Sequence, residues 1–204
     1  MRRTFSPLID KLIESLRFLP GIGPKSAQRI AFYLLERQRD NALKLAEHLH
    51  EAMINIKHCK LCRNFCETEI CTLCNHPGRL TTQLCIVETP LDVLAIEQTG
   101  QYKGYYFVLQ GHLSPLDGIG PQELGLHQLI ERIDSTSPKE VIIATNPTVE
   151  GEVTAHHIAK LLKPFQLTIS RIAHGVPMGS EIEYVGETTL AHSIDKRTLI
   201  NAED

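Results

Sequence analysis

Four cysteines carry the clearest chemistry in this sequence. Cys59 and Cys62 form one Cys-x2-Cys pair, and Cys71 and Cys74 form a second after eight intervening residues. Each pair can turn two thiolates toward one point, and two pairs supply the four soft ligands of a tetrahedral Zn²⁺ site. Four protein ligands leave no position for water or substrate, so one zinc per chain is expected in a structural role. The segment is too short to build a core of its own. Metal binding, worth roughly 10–16 kcal/mol in comparable peptides, would have to supply most of its folding energy. Cys66 has no cysteine at knuckle spacing on either side and is not expected to ligate. Cys85 falls in an apolar run and reads as a small buried hydrophobe. His58 and His76 flank the pairs and are expected behind the ligands or at the surface.

A second constellation is Leu19-Pro20-Gly21-Ile22-Gly23-Pro24-Lys25, with Arg29 four residues beyond the lysine. Gly21 and Gly23 permit a turn with outward N–H groups, and Pro24 suits the first position of a following helix. The start of that helix offers free N–H groups and the positive end of a dipole to a phosphate. Lys25 and Arg29 lie at i and i+4 and project from one face beside the turn. The pattern resembles a helix-hairpin-helix motif, which grips DNA through its backbone; Ile22 would be its apolar pin. Nothing in it is shaped for reading bases. The Walker A spacing is absent.

A third set is acidic. The apolar run Leu84-Cys85-Ile86-Val87 ends in Glu88, and Val141–Ala144 leads into Thr145-Asn146-Pro147-Thr148-Val149-Glu150-Gly151-Glu152. In open α/β sheets, functional groups gather at the carboxyl ends of strands. The pairing resembles the Toprim domain of type IA topoisomerases, bacterial primases and related nucleases. Asn146 and Thr148 stand where that family carries two aspartates; Glu88, Glu150 and Glu152 keep its other acids. Divalent-metal chemistry on phosphodiesters needs hard anionic oxygens, so two neutral replacements imply a binding fold without catalysis. Glu150 and Glu152 also suit the first turn of a helix. His156 and His157 are adjacent, point apart on a helix, and are poor joint ligands. His112, Ser114 and Asp117 sit in the Gly/Pro-rich stretch Gly111–Pro121, which reads as a contact loop.

These groups need elements to hold them. Apolar residues recur with helical period at Leu8, Leu12, Ile13 and Leu16, at Ile30, Tyr33, Leu34 and Leu35, and at Leu43, Leu45, Leu49 and Met53. Residues 6–56 are therefore expected to be helical, the last helix starting near Asp40-Asn41. Beyond residue 80, strand-like runs (84–88, 105–109, 141–144, 167–171) alternate with helical ones (91–98, 123–133, 152–162), the pattern of a parallel α/β sheet. The tail after Gly179 shows no helical period. The domain reading is a helix-hairpin-helix module over 1–56, a four-cysteine zinc finger over 57–80, a Toprim domain over 81–175 and a C-terminal segment over 176–204.

Charge is segregated along the chain. Residues 1–80 hold 13 Lys/Arg against 8 Asp/Glu, and residues 81–204 hold 8 against 16, so balances of +5 and −8 make up the net −3. A basic front module joined to an acidic body fits nucleic-acid contact by the front alone. No apolar run approaches the ~20 residues of a membrane span, and the basic start at Met1–Arg3 is not followed by an apolar stretch. A cytoplasmic protein without membrane contact is expected.

Three modules in this order resemble the RecR family of bacterial recombination mediators. The resemblance rests on LPGIGPKSAQRIA at 19–31, CKLCRNFCETEICTLC at 59–74, VETPLDVLAIEQTGQYKGYYFVLQGHLSPLDGIGP at 87–121, ATNPTVEGE at 144–152 and RIAHGVPMGSEIEYV at 171–185. Asn146 and Thr148 are usual in that family. The resemblance implies a mediator without enzymatic activity that acts with RecO, and with RecF at gap junctions. Its task is to help RecA displace single-strand-binding protein from single-stranded DNA. It implies a ring or clamp oligomer, dimer or tetramer, with the helical module and C-terminal segment at subunit contacts. Gly21, Gly23, Lys25 and Arg29 would hold the backbone of single- or double-stranded DNA, while Glu88, Asn146, Glu150 and Glu152 would face RecO. The location implied is the cytoplasm, at the nucleoid. Two other classes remain distinct from this reading: a Mg²⁺-dependent nuclease or topoisomerase-like enzyme, and an adaptor that binds only protein.

Overall fold

A computed structural model describes residues 6–173 and 175–197. The basic start at Met1–Arg3 and the end of the C-terminal segment from residue 198 lie outside the described residues. The chain divides into two compact units, Met1–Ile56 and Lys57–Asp204.

The first unit is built of three helices: α1 (Pro7–Arg17), α2 (Pro24–Arg37) and α3 (Arg39–Asn55). Ser6 caps α1 by accepting from Ile9 N, and a proline opens both α1 and α2. Ile13, Ala27 and Ala31 form the small core, with Ile9, Leu12, Leu16 and Ile22 packed around it. The two alanines let α1 and α2 approach closely. α3 starts one residue before the expected Asp40. Gln38 both ends α2, donating its N–H to Leu34 O, and accepts from Ala42 N to begin α3. None of the residues of α3 is buried.

The second unit opens with a two-stranded antiparallel hairpin, β1 (Lys57–His58) with β2 (Phe65–Cys66), wrapped around the cysteines. A four-stranded sheet follows, of β3 (Leu80–Val87), β4 (Gly104–Val108), β5 (Glu140–Ala144) and β6 (Thr168–Arg171), in the order β4-β3-β5-β6 with every pair parallel. Its helices are α4 (Pro90–Gln98), α5 (Leu126–Thr136), α6 (Val149–Leu162) and α7 (Glu187–Asp195). One face of the sheet buries Ile86, Phe107 and Ile143 with Leu129 and Ile133 of α5 and Ile158 and Leu162 of α6. The other buries Cys85, Val87, Tyr106 and Val108 with Val93 of α4. Covering both faces is what an all-parallel sheet requires. The mixed fold of helix-hairpin-helix, cysteine cluster, parallel-sheet domain and C-terminal segment is the one expected.

The starts of α5 and α6 differ for local reasons, and one element was not expected. α5 begins at Leu126 rather than Glu123, because Gly125 takes a left-handed conformation (φ 66°) that turns the chain into the helix. α6 begins at Val149 rather than Glu152, because the Thr148 side chain accepts from Gly151 N and caps it. The expectation of a non-helical tail is corrected by α7. That helix is nine residues long and its apolar residues are Leu190, Ala191 and Ile194, too short a run for a periodicity to stand out.

Candidate functional site

In the cysteine cluster, one ligand atom from each of Cys59, Cys62, Cys71 and Cys74 lies within 4.8 Å of the others. Two tight turns set them: Arg63 N donates to Cys59 O at 2.9 Å, and Asn75 N to Cys71 O at 3.0 Å. Cys71 N points at Cys59 Sγ (3.3 Å) and Cys74 N at Cys71 Sγ (3.4 Å), so backbone dipoles favour thiolates here. Cys62 Sγ lies 3.4 Å from Cys71 Sγ. The hydrogen bond from Cys62 holds the Cys71 thiol well below its ordinary value, and the same contact pushes the Cys62 thiol up. Like charges this close cannot all ionise without a cation among them. The donor set is a four-cysteine metal site of the zinc-finger kind. Cys66 stands aside, its thiol directed to Thr68 O at 2.8 Å. His58 lies 3.0 Å from Arg63 O, and His76 Nδ1 accepts from Gly78 N, so neither joins the cluster.

Sequence reasoning missed what the first knuckle does next. Cys62 O accepts from Val108 N (2.8 Å) at the edge strand β4. Arg63, in a left-handed conformation (φ 63°), then reaches the carbonyls of Leu109, Leu124 and Glu123. Its guanidinium also lies over the Phe107 ring, and Gln110 Nε2 donates back to Arg63 O at 2.6 Å. The metal knuckle is thereby tied to both ends of the loop that runs from Gly111 to Pro121. Partners 46 to 61 residues away leave no mark on local spacing.

In the helical unit, Gly21 adopts φ 77°, which explains the glycine, and Ile22 N donates to Leu19 O to close the turn. Gly23 has an ordinary extended backbone. It caps α2 without any side-chain hydrogen bond, and a Cβ added there would meet nothing within 4 Å. No side-chain cap takes the N–H groups at the start of α2. Lys25 and Arg29 are both exposed.

The acidic crest lies at the carboxyl ends of β3 and β5. Glu88 is only 3% exposed. Its carboxylate accepts from Asn146 N (2.8 Å) and Asn146 Nδ2 (2.7 Å), with His112 Nδ1 at 3.4 Å. Asn146, Glu150 and Glu152 are exposed around it. Glu150 and Glu152 occupy the first turn of α6, and Glu152 pairs with Arg171 at 2.5 Å. Gly151 makes the close fit possible: a Cβ there would run into Asn146 O and come within 2.9 Å of Glu88 Oε1. The three glutamates do not converge on a point. Among the described residues, the cysteines are the only group of three or more His, Cys, Asp or Glu side chains near enough to share an ion. In the loop, Ser114 donates to Asp117 (2.6 Å), an internal turn that leaves Leu116 wholly exposed.

Among the described residues no helix is long and apolar enough to cross a membrane. The family model "RecR, helix-hairpin-helix" matches residues 9–53, "Toprim domain" matches 82–173 and "RecR, C-terminal" matches 175–198. The chain belongs to the RecR family. Membership supports a role as a recombination mediator in a family that is generally not catalytic. It also suggests DNA binding and self-assembly.

Proposed function

We propose that this chain is a non-catalytic scaffold that works with RecO, and with RecF at gap junctions, to load RecA onto single-stranded DNA coated with single-strand-binding protein. The observation that carries the reading is the uncapped start of α2 with Lys25 and Arg29 exposed beside it. Such a helix start holds phosphate by backbone N–H groups and dipole, without regard to sequence. The four cysteines hold one Zn²⁺, which supplies folding energy rather than chemistry. At the crest, Asn146 spends its amide on Glu88, so this glutamate acts from beneath as a tie. Asn146, Glu150 and Glu152 form the surface offered to RecO. The four modules act as 1–56, 57–80, 81–175 and 176–204, in a cytoplasmic, nucleoid-associated oligomer.

The test is RecA-driven ATP hydrolysis on single-stranded DNA coated with single-strand-binding protein, with and without RecO. Stimulation that needs both RecO and this chain is expected, and reactions lacking RecA should show none. No stimulation by a folded, zinc-loaded protein would overturn the mediator reading. Mg²⁺-dependent strand cleavage that disappears in Glu88→Gln would replace it with an enzymatic one.

A further inference from the structure

We propose that the outer face of α2 is a track for an unpaired DNA strand, with Tyr33 as a stacking platform for a base and Arg37 as a further phosphate contact. This rests on the reading that the hairpin at Gly21–Lys25 binds DNA, and it names the form of DNA that the site prefers.

The orientation of α2 is fixed by its packing. Ala27 and Ala31 are fully buried in the core shared with α1, so the opposite face looks outward. Lys25, Arg29, Tyr33 and Arg37 follow one another at four-residue steps along that outward face, and all four are exposed. At about 1.5 Å per residue the stripe is roughly 18 Å long, room for several successive phosphates of one strand. It begins at the uncapped N–H groups, so a strand held by the hairpin can continue along the helix without leaving positive charge.

A groove of about 620 Å³ runs beside the stripe, lined by Ser26, Arg29, Ile30, Phe32, Tyr33, Glu36 and Arg37, with Phe32 half-buried and Tyr33 its exposed aromatic. Glu36 is its only acid. Among the described residues, Lys25, Arg29 and Arg37 form no ion pair. Tyr33 leaves 51% of its surface in the open, in the middle of three cations. An aromatic face flanked by guanidinium groups is the arrangement that binds single strands: cations take the phosphates and the ring takes a base. A duplex keeps its bases stacked on one another and has no face to offer. Phosphate contacts at the hairpin serve either form, so Tyr33 is the residue that separates them.

The experiment measures binding of the full chain by fluorescence anisotropy at low ionic strength, where phosphate contacts are strongest. The probes are a labelled oligothymidylate, a duplex of equal length and an abasic strand of equal length. Tyr33→Ala is expected to weaken oligothymidylate binding by roughly fivefold to a hundredfold. It should leave the duplex unchanged, and Tyr33→Phe should retain the wild-type affinity. The abasic strand should bind wild type and Tyr33→Ala alike. Arg37→Ala should weaken single-strand binding and reduce the slope of log affinity against log salt by about 0.7.

Undiminished oligothymidylate binding by Tyr33→Ala, while Lys25→Ala with Arg29→Ala still weakens it, would overturn the platform and leave the hairpin reading intact. Equal losses on strand and duplex would do the same. No binding by the wild type, or full binding by the double variant, would overturn both. A Tyr33→Ala protein whose oligomeric state changes by light scattering would give this face to a second copy of the chain and remove the track.

Discussion

A carboxylate as buried as Glu88 needs donors, and it takes them from Asn146 across the gap between two strands. Glu88→Gln would turn an amide N–H₂ toward groups that are themselves donors, leaving a buried group unsatisfied at a cost of about 1–3 kcal/mol. Denaturant unfolding should show that loss. If the crest is the RecO surface proposed above, RecO binding should fall with it, because the turn from Thr145 to Thr148 is positioned by this contact. Gly151→Ala discriminates more sharply. Helix propensity alone favours alanine by about 1 kcal/mol. The added Cβ, however, would meet Asn146 O, a backbone atom that cannot swing away, as well as Glu88 Oε1. Overpacking against fixed atoms costs about 1–3 kcal/mol, so a net loss in unfolding free energy is expected where propensity predicts a gain. The acids and the glycine of this crest were legible as a motif in the sequence. Their division of labour was not, because burial of Glu88 depends on an asparagine 58 residues away. The same holds for His112, read at first only as part of a loop.

At the scale of elements, the cysteine knuckle and the sheet are one mechanical piece. Removal of the metal is expected to free Cys62 and Arg63, and with them the bond from Val108 N and the grip on Leu109, Glu123 and Leu124. Hydrogen exchange should therefore quicken at Val108 as well as within the finger. Arg63→Ala should keep the metal yet lose about 3 kcal/mol of stability, since several carbonyls lose a charged donor. A finger that unfolds under chelation while exchange at Val108 stays unchanged would show the two to be independent. A second tie joins the start of β3 to α4: Arg79 forms a bidentate pair with Glu97, which also accepts from Tyr106 (2.6 Å). The hydrogen bonds from Arg79 hold the Glu97 carboxyl below the usual carboxylate range. Its contribution is present above the unfolded value near about pH 4.3 and is lost as pH falls through the lower folded value. Glu97→Gln should thus cost about 2–3 kcal/mol near neutral pH. The gap between variant and wild type should close in acid. The strands and helices around these ties were legible, because buried parallel strands are apolar runs, α5 carries an apolar stripe, and α4 opens on the Thr89-Pro90 start with Asp92 closing its capping box. α7 was not, since a nine-residue helix that buries no side chain fully shows too few turns for a period to stand out.

For the whole molecule, the question is what covers surfaces that one chain leaves bare. α3 runs for 17 residues without a buried side chain, and Leu45, Leu49 and Met53 stand exposed at four-residue steps along it. A helix of this length held by little packing is marginal in water, so its persistence calls for a partner. The family suggests self-assembly, and a second copy offers the same stripe, as a two-fold interface needs. If α3 is such an interface, folding and association are linked, and the melting temperature should rise with protein concentration. Each tenfold dilution should cost a dimer about 1.4 kcal/mol. Leu49→Glu with Met53→Glu should abolish that dependence, yield a smaller species by light scattering and lower the helical circular dichroism. The double change leaves Lys25, Arg29 and Tyr33 untouched. Weaker DNA binding in the dissociated protein would therefore mean that several α2 faces act together on one strand, through effective concentration rather than new contacts. Unchanged binding would mean that each chain holds DNA alone, and that assembly serves the partner surface instead.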